Sequence, residues 1–411
     1  MAKTRKNPYY KFTNSLAPAW KFLKGHPRKH TKGVDGVSIN SFKQNEGRDL
    51  KALRHELKNG TFKFQNLRAV PIENREILIC TVKDRIVSRA ILTTILPLFK
   101  EMNSGKDFSR EMPRASSQIS GVPLATQVIQ KNIKEGYHWI FETDIIKFFD
   151  NIPKDKLLAL IKTEVTSEPL LKLMKEAIEF HVQKEQRDIE VEEKEYSEVN
   201  GVAQGSALSP LFASLYLYEF DVFVGTLGNV RLVRYVDDFV VQCKNAEDAQ
   251  MVYEKIQEKL KSMRLSIHPL GKEDKGKIKT RIVDSLQTPF NFLGLTFNGA
   301  TIDISAKKKH QILEDIRCVM KDKRGGFGDK MKIVERKLGG CVKQYNQPHY
   351  RTKTSLLALI KEAGDELSDY LGKETRKLFG RNLIDGLSGA RRKAVMRFFG
   401  LDFDRLTRMV R

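Results

Sequence analysis

Two adjacent aspartates, Asp237 and Asp238, interrupt an otherwise apolar stretch, VRLVRYVDDFVVQCKN, at residues 230–245. The flanking residues predict a buried β-hairpin that carries both carboxylates at its turn. Ionised side chains in apolar surroundings are unfavourable unless a cation compensates them, and a divalent metal at the rim of a hairpin would do so. An Asp-Asp pair is also common in solvated turns, so the dipeptide alone leaves both interpretations open.

A third carboxylate, Asp144, follows the segment YHWIFET, whose aromatic and β-branched residues are typical of a strand. If the two acidic strand ends lie side by side, they can hold two Mg²⁺ ions about 4 Å apart, which suits in-line phosphoryl transfer. One ion would activate an attacking 3′-hydroxyl, and the other would neutralise charge on triphosphate oxygens. The sequence therefore suggests a metal-dependent phosphoryl-transfer site built from these three carboxylates.

The composition indicates a polyanionic partner. The chain has 411 residues, with 73 Lys and Arg against 51 Asp and Glu, and a formal net charge of +22. Such an excess attracts nucleic acid through counterion release, although a merely soluble basic protein is the alternative. We find no apolar run of about 18 residues and no apolar signal-peptide core, and the four cysteines form no CxxC pair. These features predict a cytoplasmic, nucleic-acid-binding protein without a membrane span, a zinc site or a disulfide framework.

The hydrophobic patterns predict a mixed α+β body followed by Lys-rich helices beyond about residue 305. Strands are expected for the pair NLRAVPI and REILIC, for residues 136–153, for an exposed hairpin at 184–200 and for residues 290–299; helices are expected at 83–101, 154–180, 206–224 and 246–263. Near the N-terminus, aromatic residues such as Trp20 alternate with cations. They either stack on bases or form the core face of a helix, and the pattern does not separate these interpretations.

Six ordered segments resemble the conserved blocks of bacterial reverse transcriptases of the group II intron and retron superfamily. They are KGVDGVS (32–38), TVKDRIVSRAI (81–91), FETDIIKFFDNI (141–152), VAQGSALSPLFASLYL (202–217), YVDD (235–238) and FLGLTF (292–297). The resemblance implies a right-hand polymerase fold of the α+β class, in which an antiparallel sheet packs on helices. It further implies an N-terminal extension with fingers at 1–135, a palm at 136–300 and an all-helical thumb with a basic extension at 301–411.

The same resemblance assigns the metal-binding triad to Asp144, Asp237 and Asp238, with two Mg²⁺ ions that Mn²⁺ can replace. Tyr235 would lie beneath the primer terminus. Phe149 would be the steric gate against a ribose 2′-hydroxyl, with a purely structural role in the core as its alternative and with Phe148 as the core residue.

Further roles follow from the resemblance for residues outside the triad. Gln204 and Gly205 would line the dNTP pocket, and Arg75 would bind the triphosphate through its guanidinium. Lys279, with Lys272 as a competitor, resembles the lysine that follows the catalytic hairpin.

Leu293 and Gly294 would belong to the primer grip.

The chain also departs from the family pattern. The finger tip is shortened to IENRE, so the second triphosphate-binding cation is not identified, and Ala203 replaces the usual proline before Gln204.

The resemblance implies an RNA-directed DNA polymerase that copies a structured RNA into cDNA, with the RNA template, the RNA/cDNA duplex and dNTPs as partners. No HNH-type nuclease pattern follows the helical segment, and this favours the free-standing reverse transcriptases of bacterial antiphage defence, which use a dedicated non-coding RNA. Two alternatives stay open. One is template-independent or protein-primed synthesis, for which Tyr9 and Tyr10 offer hydroxyls, and the other is an intron-type RNA-binding splicing helper. The sequence predicts no oligomeric state.

Overall fold

The computed structural model describes residues 12–25, 30–72, 75–99, 121–183, 196–274, 276–322, 326–379, 382, 384–398 and 401–410. The chain divides into two compact units. One comprises Met1–Ala125 and Phe141–Ile282, and the other comprises Thr126–Ile140 and Val283–Arg411. These boundaries differ from the predicted divisions after residues 135 and 300, and the three-domain arrangement stays a prediction.

Three helices come first in the described part of the first unit: α1 (Leu16–Lys24), α2 (Ile39–Gln44) and α3 (Glu46–Lys58). Helix α1 buries Trp20, whose side chain is 3% exposed. The Trp20 indole Nε1 donates a hydrogen bond to Glu46 at 2.8 Å, and its ring lies 4.7 Å from that of Phe42. Trp20 therefore belongs to the core face of a helix, whereas Phe22 on the same helix is 55% exposed.

A β-hairpin follows, in which β1 (Leu67–Ile72) pairs antiparallel with β2 (Arg75–Ile79), and this confirms the predicted strand pair. A short strand, β4 (Val182–Gln183), lies parallel to β1 on its other side. The helix predicted over 83–101 is α4 (Val82–Ile95), which a 3₁₀ turn at Leu96–Phe99 continues. Pro97 within this turn lacks the amide that an α-helix would need there.

A four-stranded sheet in the order β5-β6-β3-β9 carries the acidic residues singled out above. Its strands are β3 (Trp139–Thr143), β5 (Val230–Tyr235), β6 (Asp238–Cys243) and β9 (Arg281–Asp284). The antiparallel β5–β6 pair is the predicted hairpin, and Phe239, Val240 and Val241 are buried as expected. Between β6 and β9 in the sequence, β7 (Glu273–Asp274) and β8 (Lys277–Ile278) form a two-stranded antiparallel ribbon.

Six helices accompany this sheet in the sequence of the first unit: α6 (Phe148–Asn151), α7 (Lys154–Glu164), α8 (Glu168–Ile178), α9 (Ser209–Tyr216), α10 (Tyr218–Gly225) and α11 (Ala246–Ser262). The helices predicted over 154–180 and 246–263 are thereby confirmed, the first as two helices. The helix predicted over 206–224 is also divided, because the regular structure is interrupted at Leu217.

The strand predicted over residues 136–153 is wrong beyond Thr143. Lys147 adopts a left-handed backbone with φ of 44°, a conformation that no strand continues through, and α6 begins at the next residue. The hairpin predicted over 184–200 lies mainly outside the described residues.

In the second unit, a three-stranded antiparallel sheet comprises β10 (Phe290–Phe292), β11 (Leu295–Asn298) and β12 (Thr301–Ile304). The single strand predicted over 290–299 is therefore a hairpin. Leu293 and Gly294 form its two-residue turn, with φ of 51° and 80°. Positive φ at both positions matches the twist of a tight hairpin.

The remaining helices are α5 (Val122–Lys134), α12 (Ala306–Lys321), α13 (Phe327–Tyr345), α14 (Lys353–Phe379), α15 (Gly389–Phe398) and α16 (Phe403–Val410). Regular structure after β12 is thus helical throughout the described residues, which confirms the mixed α+β body with a helical C-terminal segment. None of the helices in the described residues is long and apolar enough to cross a membrane.

The burial of Trp20 yields a test of its structural role. We expect Trp20→Ala to lower the free energy of unfolding by about 3 to 5 kcal/mol, because it opens a large cavity. Phe22→Ala, a matched control two residues away on the exposed side of the helix, removes a ring that the Arg89 guanidinium covers at 3.9 Å, and we expect a loss of about 0.5 to 1 kcal/mol. Urea unfolding monitored by circular dichroism measures both. Equal losses would contradict the assignment of Trp20 to the core.

Candidate active site

A two-residue turn presents the adjacent aspartates. Tyr235 pairs with Asp238, so only Val236 and Asp237 lie between strands β5 and β6. Val236 has a φ of 60°, a left-handed conformation that is unusual for a β-branched residue. The chain reverses sharply here, and this places Asp237 at the tip of the hairpin and Asp238 at the first position of β6.

Asp144 directly follows β3, the neighbour of β6 in the sheet. Two contacts fix this end of the strand. The hydroxyls of Thr143 and Thr280 lie 2.7 Å apart in the core, and the Ile146 amide donates to the carbonyl of Ser266 at 2.8 Å. The Thr143–Thr280 contact joins the residue before Asp144 to the residue after Lys279. It therefore brings the side chains of Asp144 and Lys279 together.

Lys279 donates a hydrogen bond from Nζ to Asp144 Oδ2 at 2.7 Å. This bond and the negative charge of Asp144 raise the pKa of Lys279, so its ammonium is protonated at neutral pH. Of the two lysines considered from the sequence, Lys279 thus lies at the acidic cluster, whereas the side chain of Lys272 is exposed to solvent.

The three aspartates are close enough to affect one another's ionisation. Protein atoms displace water from part of the Asp238 carboxyl, and this desolvation, with the charges of Asp237 and Asp144, raises its pKa to about 7. Burial raises the pKa of Asp237 as well, and the charge of Asp144 adds to the effect. The structure therefore brings all three predicted carboxylates into one region of mutual repulsion.

A repulsive group of carboxylates suits a hard divalent cation, because oxygen ligands of this kind are what Mg²⁺ binds. Within the described part of the chain, however, no three His, Cys, Asp or Glu side chains are arranged to hold a metal ion. Asp144 instead has Lys279 as its cationic partner. The carboxylate oxygens of the three aspartates are of the type that binds the predicted ions, but their arrangement in this structure does not form a coordination shell.

Three of the predicted dNTP-binding residues, Phe149, Gln204 and Gly205, line one cleft of the first unit. Its volume of about 1290 Å³ is ample for a nucleotide. Phe149 is half-buried there and meets Phe148 edge to face, with ring centroids 5.5 Å apart. Phe148 is 2% exposed, which confirms it as the core residue of the pair.

Gly205 lies against strand β2. Its φ is 128°, and a Cβ atom at this position would stand 2.3 Å from the Leu78 carbonyl oxygen. The neighbouring Gln204 carbonyl accepts a hydrogen bond from the Leu78 amide at 2.8 Å. Gly205 therefore lets the backbone approach the β2 strand closely, and this contact fixes the loop that forms one wall of the cleft.

Basic residues that the sequence analysis did not assign to the cleft also line it: His30, Lys32, Arg68, Arg85 and Arg89. The Arg68 guanidinium donates two hydrogen bonds to the Lys32 carbonyl, at 2.9 and 3.1 Å, and ties the KGVDGVS segment to strand β1. The KGVDGVS segment is one of the six segments identified in the sequence. Its local pattern does not indicate that Arg68, Arg85 and Arg89, which follow much later in the chain, line the same cleft.

The other predicted site residues are placed as follows. Tyr235 is the half-buried last residue of β5. Arg75 is the first residue of β2 and pairs with Ile72, while its side chain lies outside the described part of the structure. Leu293 and Gly294 form the β10–β11 turn of the second unit, where the Ser305 amide donates to the Gly294 carbonyl at 3.1 Å.

A protein-family model described as reverse transcriptase (RNA-dependent DNA polymerase) matches residues 68–297, which is more than half of the chain. Three curated proteins are similar in sequence. The "Uncharacterized 91 kDa protein in cob intron" of Schizosaccharomyces pombe is 28% identical over 51% of this chain and 24% of its own length. Protein YkfC of Escherichia coli is 27% identical over 51% of this chain and 54% of its own. The group II intron-encoded protein LtrA of Lactococcus lactis subsp. cremoris is 25% identical over 78% of this chain and 62% of its own.

This chain therefore spans less than two thirds of the length of each of these relatives. Among solved structures, one of a partial Cas6-RT-Cas1–Cas2 complex is similar at 20% identity and a TM-score of 0.37. The similarity covers 63% of this chain and 42% of that one.

The raised pKa of Asp238 predicts a pH dependence of stability in the metal-free protein. Between pH 3.8 and about 7 the folded chain binds a proton that the unfolded chain has released, so stability falls as the pH rises through this window. Asp238 is nevertheless exposed to solvent over much of its surface, and the solvent screens its charge. We therefore expect Asp238→Asn, which lacks the charge, to be only about 1 kcal/mol more stable than wild type at pH 8. The difference should vanish near pH 4.

Urea unfolding in EDTA at several pH values measures this difference. Asp155→Asn is the matched control, because a backbone amide and Arg264 lower the pKa of Asp155, and removing its charge should not stabilise the protein. If Asp238→Asn is less stable than wild type at pH 8, the carboxylates do not repel one another as described.

Proposed function

This chain belongs to the reverse transcriptase family, and from that membership we propose that it synthesises DNA on an RNA template from dNTPs. The observation that carries the proposal is the convergence of Asp144 with Asp237 and Asp238, carboxylates from two separate segments that lie close enough for the charge of Asp144 to raise the pKa values of the other two. A cleft lined by Phe149, Gln204 and Gly205 in the same unit supports it.

We propose that the three aspartates hold two Mg²⁺ ions, or Mn²⁺ in their place. Such ions supply activation of the primer 3′-hydroxyl and neutralisation of charge on the triphosphate. Asp237, at the tip of the hairpin, and Asp144 would supply carboxylate oxygens to the ions, and Asp144 would then give up its contact with Lys279. The protonated Lys279 ammonium would remain available as a cation for the triphosphate.

The cleft residues would select and orient the incoming nucleotide. Phe149 would stand beneath the sugar and exclude a 2′-hydroxyl by contact, while Gln204 and Gly205 form the wall that β2 supports. Arg75 would bind the triphosphate, and Arg68 or Arg85 is the candidate for the second phosphate-binding cation that the sequence left unidentified. Tyr235 would lie under the primer terminus, and Leu293 and Gly294 would grip the primer strand.

The net charge of +22 supports a structured RNA template and an RNA/cDNA duplex as partners. We propose a dedicated non-coding RNA as the template and antiphage defence in the bacterial cytoplasm as the setting, on the sequence features given above. Template-independent or protein-primed synthesis is the alternative within the same group, and its candidate primers Tyr9 and Tyr10 lie outside the described residues.

A second candidate function is an RNA-binding splicing helper. The similarity to a protein described as group II intron-encoded, over 78% of this chain, favours it. A polymerase-inactive helper, however, would have no use for carboxylates that repel one another, because an uncompensated acidic cluster only destabilises the fold.

The polymerase proposal predicts that Asp237→Ala combined with Asp238→Ala abolishes dNTP incorporation on a primed RNA template. We expect a loss of at least about 10³-fold, since the metal contributes several kcal/mol to the transition state. Primer extension with sequencing of the product measures it, and Asp155→Asn should retain activity. A product that does not mirror the RNA indicates template-independent synthesis. Full activity of the double variant, or wild type that binds RNA but extends no primer in Mg²⁺ or Mn²⁺, would contradict the proposal.

The gate proposal predicts that Phe149→Ala increases ribonucleotide incorporation relative to dNTP incorporation by about 10- to 100-fold, because the ring no longer meets the 2′-hydroxyl. The ratio of kcat/KM for a ribonucleotide to that for its deoxy counterpart measures the effect. Phe148→Leu is the matched control, which should lower stability but leave this ratio unchanged. If Phe149→Ala discriminates as wild type does, Phe149 has only a structural role.

A further inference from the structure

We propose that Arg234 is a positioning residue that, anchored by Asp221, holds the hairpin turn in the conformation that presents Asp237. The inference rests on the proposed function, because it assigns Arg234 a role in metal binding by Asp237. Neither Arg234 nor Asp221 has a role among the predicted site residues, and the two lie 13 residues apart in the chain.

Each of the three guanidinium nitrogen atoms of Arg234 donates a hydrogen bond. Its Nε donates to Asp221 Oδ1 at 2.7 Å, and its Nη2 donates to Asp221 Oδ2 at 2.6 Å. Its Nη1 donates to the carbonyl oxygen of Val236 at 2.7 Å. The guanidinium therefore joins a carboxylate on helix α10 to the backbone of the turn.

The anchor for this bridge is rigid. The side chains of Arg234 and Asp221 are each 1% exposed, and a two-point guanidinium–carboxylate contact fixes orientation as well as distance. Helix α10 is packed onto the sheet, because the ring of Phe220 lies 5.1 Å from that of Phe239 on β6. Asp221 thus lies on a helix that packs directly against the hairpin.

The bond to Val236 acts directly on the peptide group that precedes Asp237. The Val236 carbonyl and the Asp237 amide belong to one planar unit, so fixing the oxygen also fixes the direction in which the chain enters Asp237. Val236 has a φ of 60°, and a β-branched residue holds this conformation only where its surroundings impose it. The Arg234 guanidinium supplies such a constraint.

A role in stability alone does not account for this arrangement. Buried ion pairs contribute little to stability in comparison with apolar side chains of the same size. The Arg234–Asp221 pair would be complete without the third bond, yet the third donor is directed at the turn. Lysine has a single nitrogen and cannot contact both Asp221 oxygens and the Val236 carbonyl in this fixed geometry.

The test compares Arg234→Lys with the double variant Arg234→Met/Asp221→Leu. The double variant replaces the buried pair with apolar side chains and keeps the core filled, so it stays folded if the single variant does not. We expect both to bind Mn²⁺ about 10- to 100-fold more weakly than wild type, as is typical when a group that orients a metal ligand is lost. Electron paramagnetic resonance of free Mn²⁺, titrated with protein in the absence of nucleotide, measures this affinity.

The same variants should show a reduced kcat with little change in the affinity for the template–primer, and higher Mg²⁺ should recover part of the rate. Arg317→Lys is the matched control. Arg317 makes a comparable two-nitrogen contact with Glu366 on the helices of the second unit, and this change should leave Mn²⁺ affinity and kcat unaltered.

A folded double variant that binds Mn²⁺ and extends primers as wild type does would overturn the role of Arg234. That result is distinct from a failure of the proposed function, in which wild type itself neither extends a primer nor binds Mn²⁺ more tightly than the Asp237→Ala variant.

Discussion

Carboxylates that repel one another must be held together by the rest of the fold, and this constraint organises the first unit. Desolvation and the charge of Asp144 raise the pKa values of both Asp237 and Asp238, and the charge of Asp237 adds to the shift of Asp238. Each segment that carries an aspartate is fixed by its own contacts. The Thr143–Thr280 hydroxyl bond holds the end of β3, and the Arg234–Asp221 pair supports the hairpin turn. Lys279 compensates the charge of Asp144 through a hydrogen bond from its ammonium.

The same sheet order explains why the acidic cluster and the cleft lie in one unit. Strand β6 lies beside β3, so the hairpin tip and the residue after β3 meet at one edge of the sheet. A few residues further, Phe149 lines a cleft that the loop at Gly205 also lines. That loop rests on the backbone of β2 so closely that only glycine fits. Backbone hydrogen bonds from Val202 to Phe149 and from Leu78 to Gln204 connect this loop with both the segment after β3 and strand β2.

Local patterns were sufficient to predict the features that depend on local physics. The apolar runs around Asp237 predicted the buried hairpin, and helical periodicity predicted α4 and α11. Predictions failed where a single backbone conformation overrides propensity. The left-handed backbone of Lys147 precedes helix α6 where a strand was predicted, and the Leu293–Gly294 turn folds a predicted strand into a hairpin. The Arg234–Asp221 bridge and the basic lining of the cleft were not predictable, because they depend on pairings between distant segments that have no periodic signature.

Crystals soaked with Mn²⁺ and a dNTP analogue, and measured at a wavelength where manganese scatters anomalously, test the central claim most directly. The account predicts two anomalous peaks about 4 Å apart, with Asp237 in contact with both and with the Lys279 ammonium displaced from Asp144. Peaks elsewhere, or no peak together with an unbroken Lys279–Asp144 bond, would show that the three carboxylates do not form the metal centre.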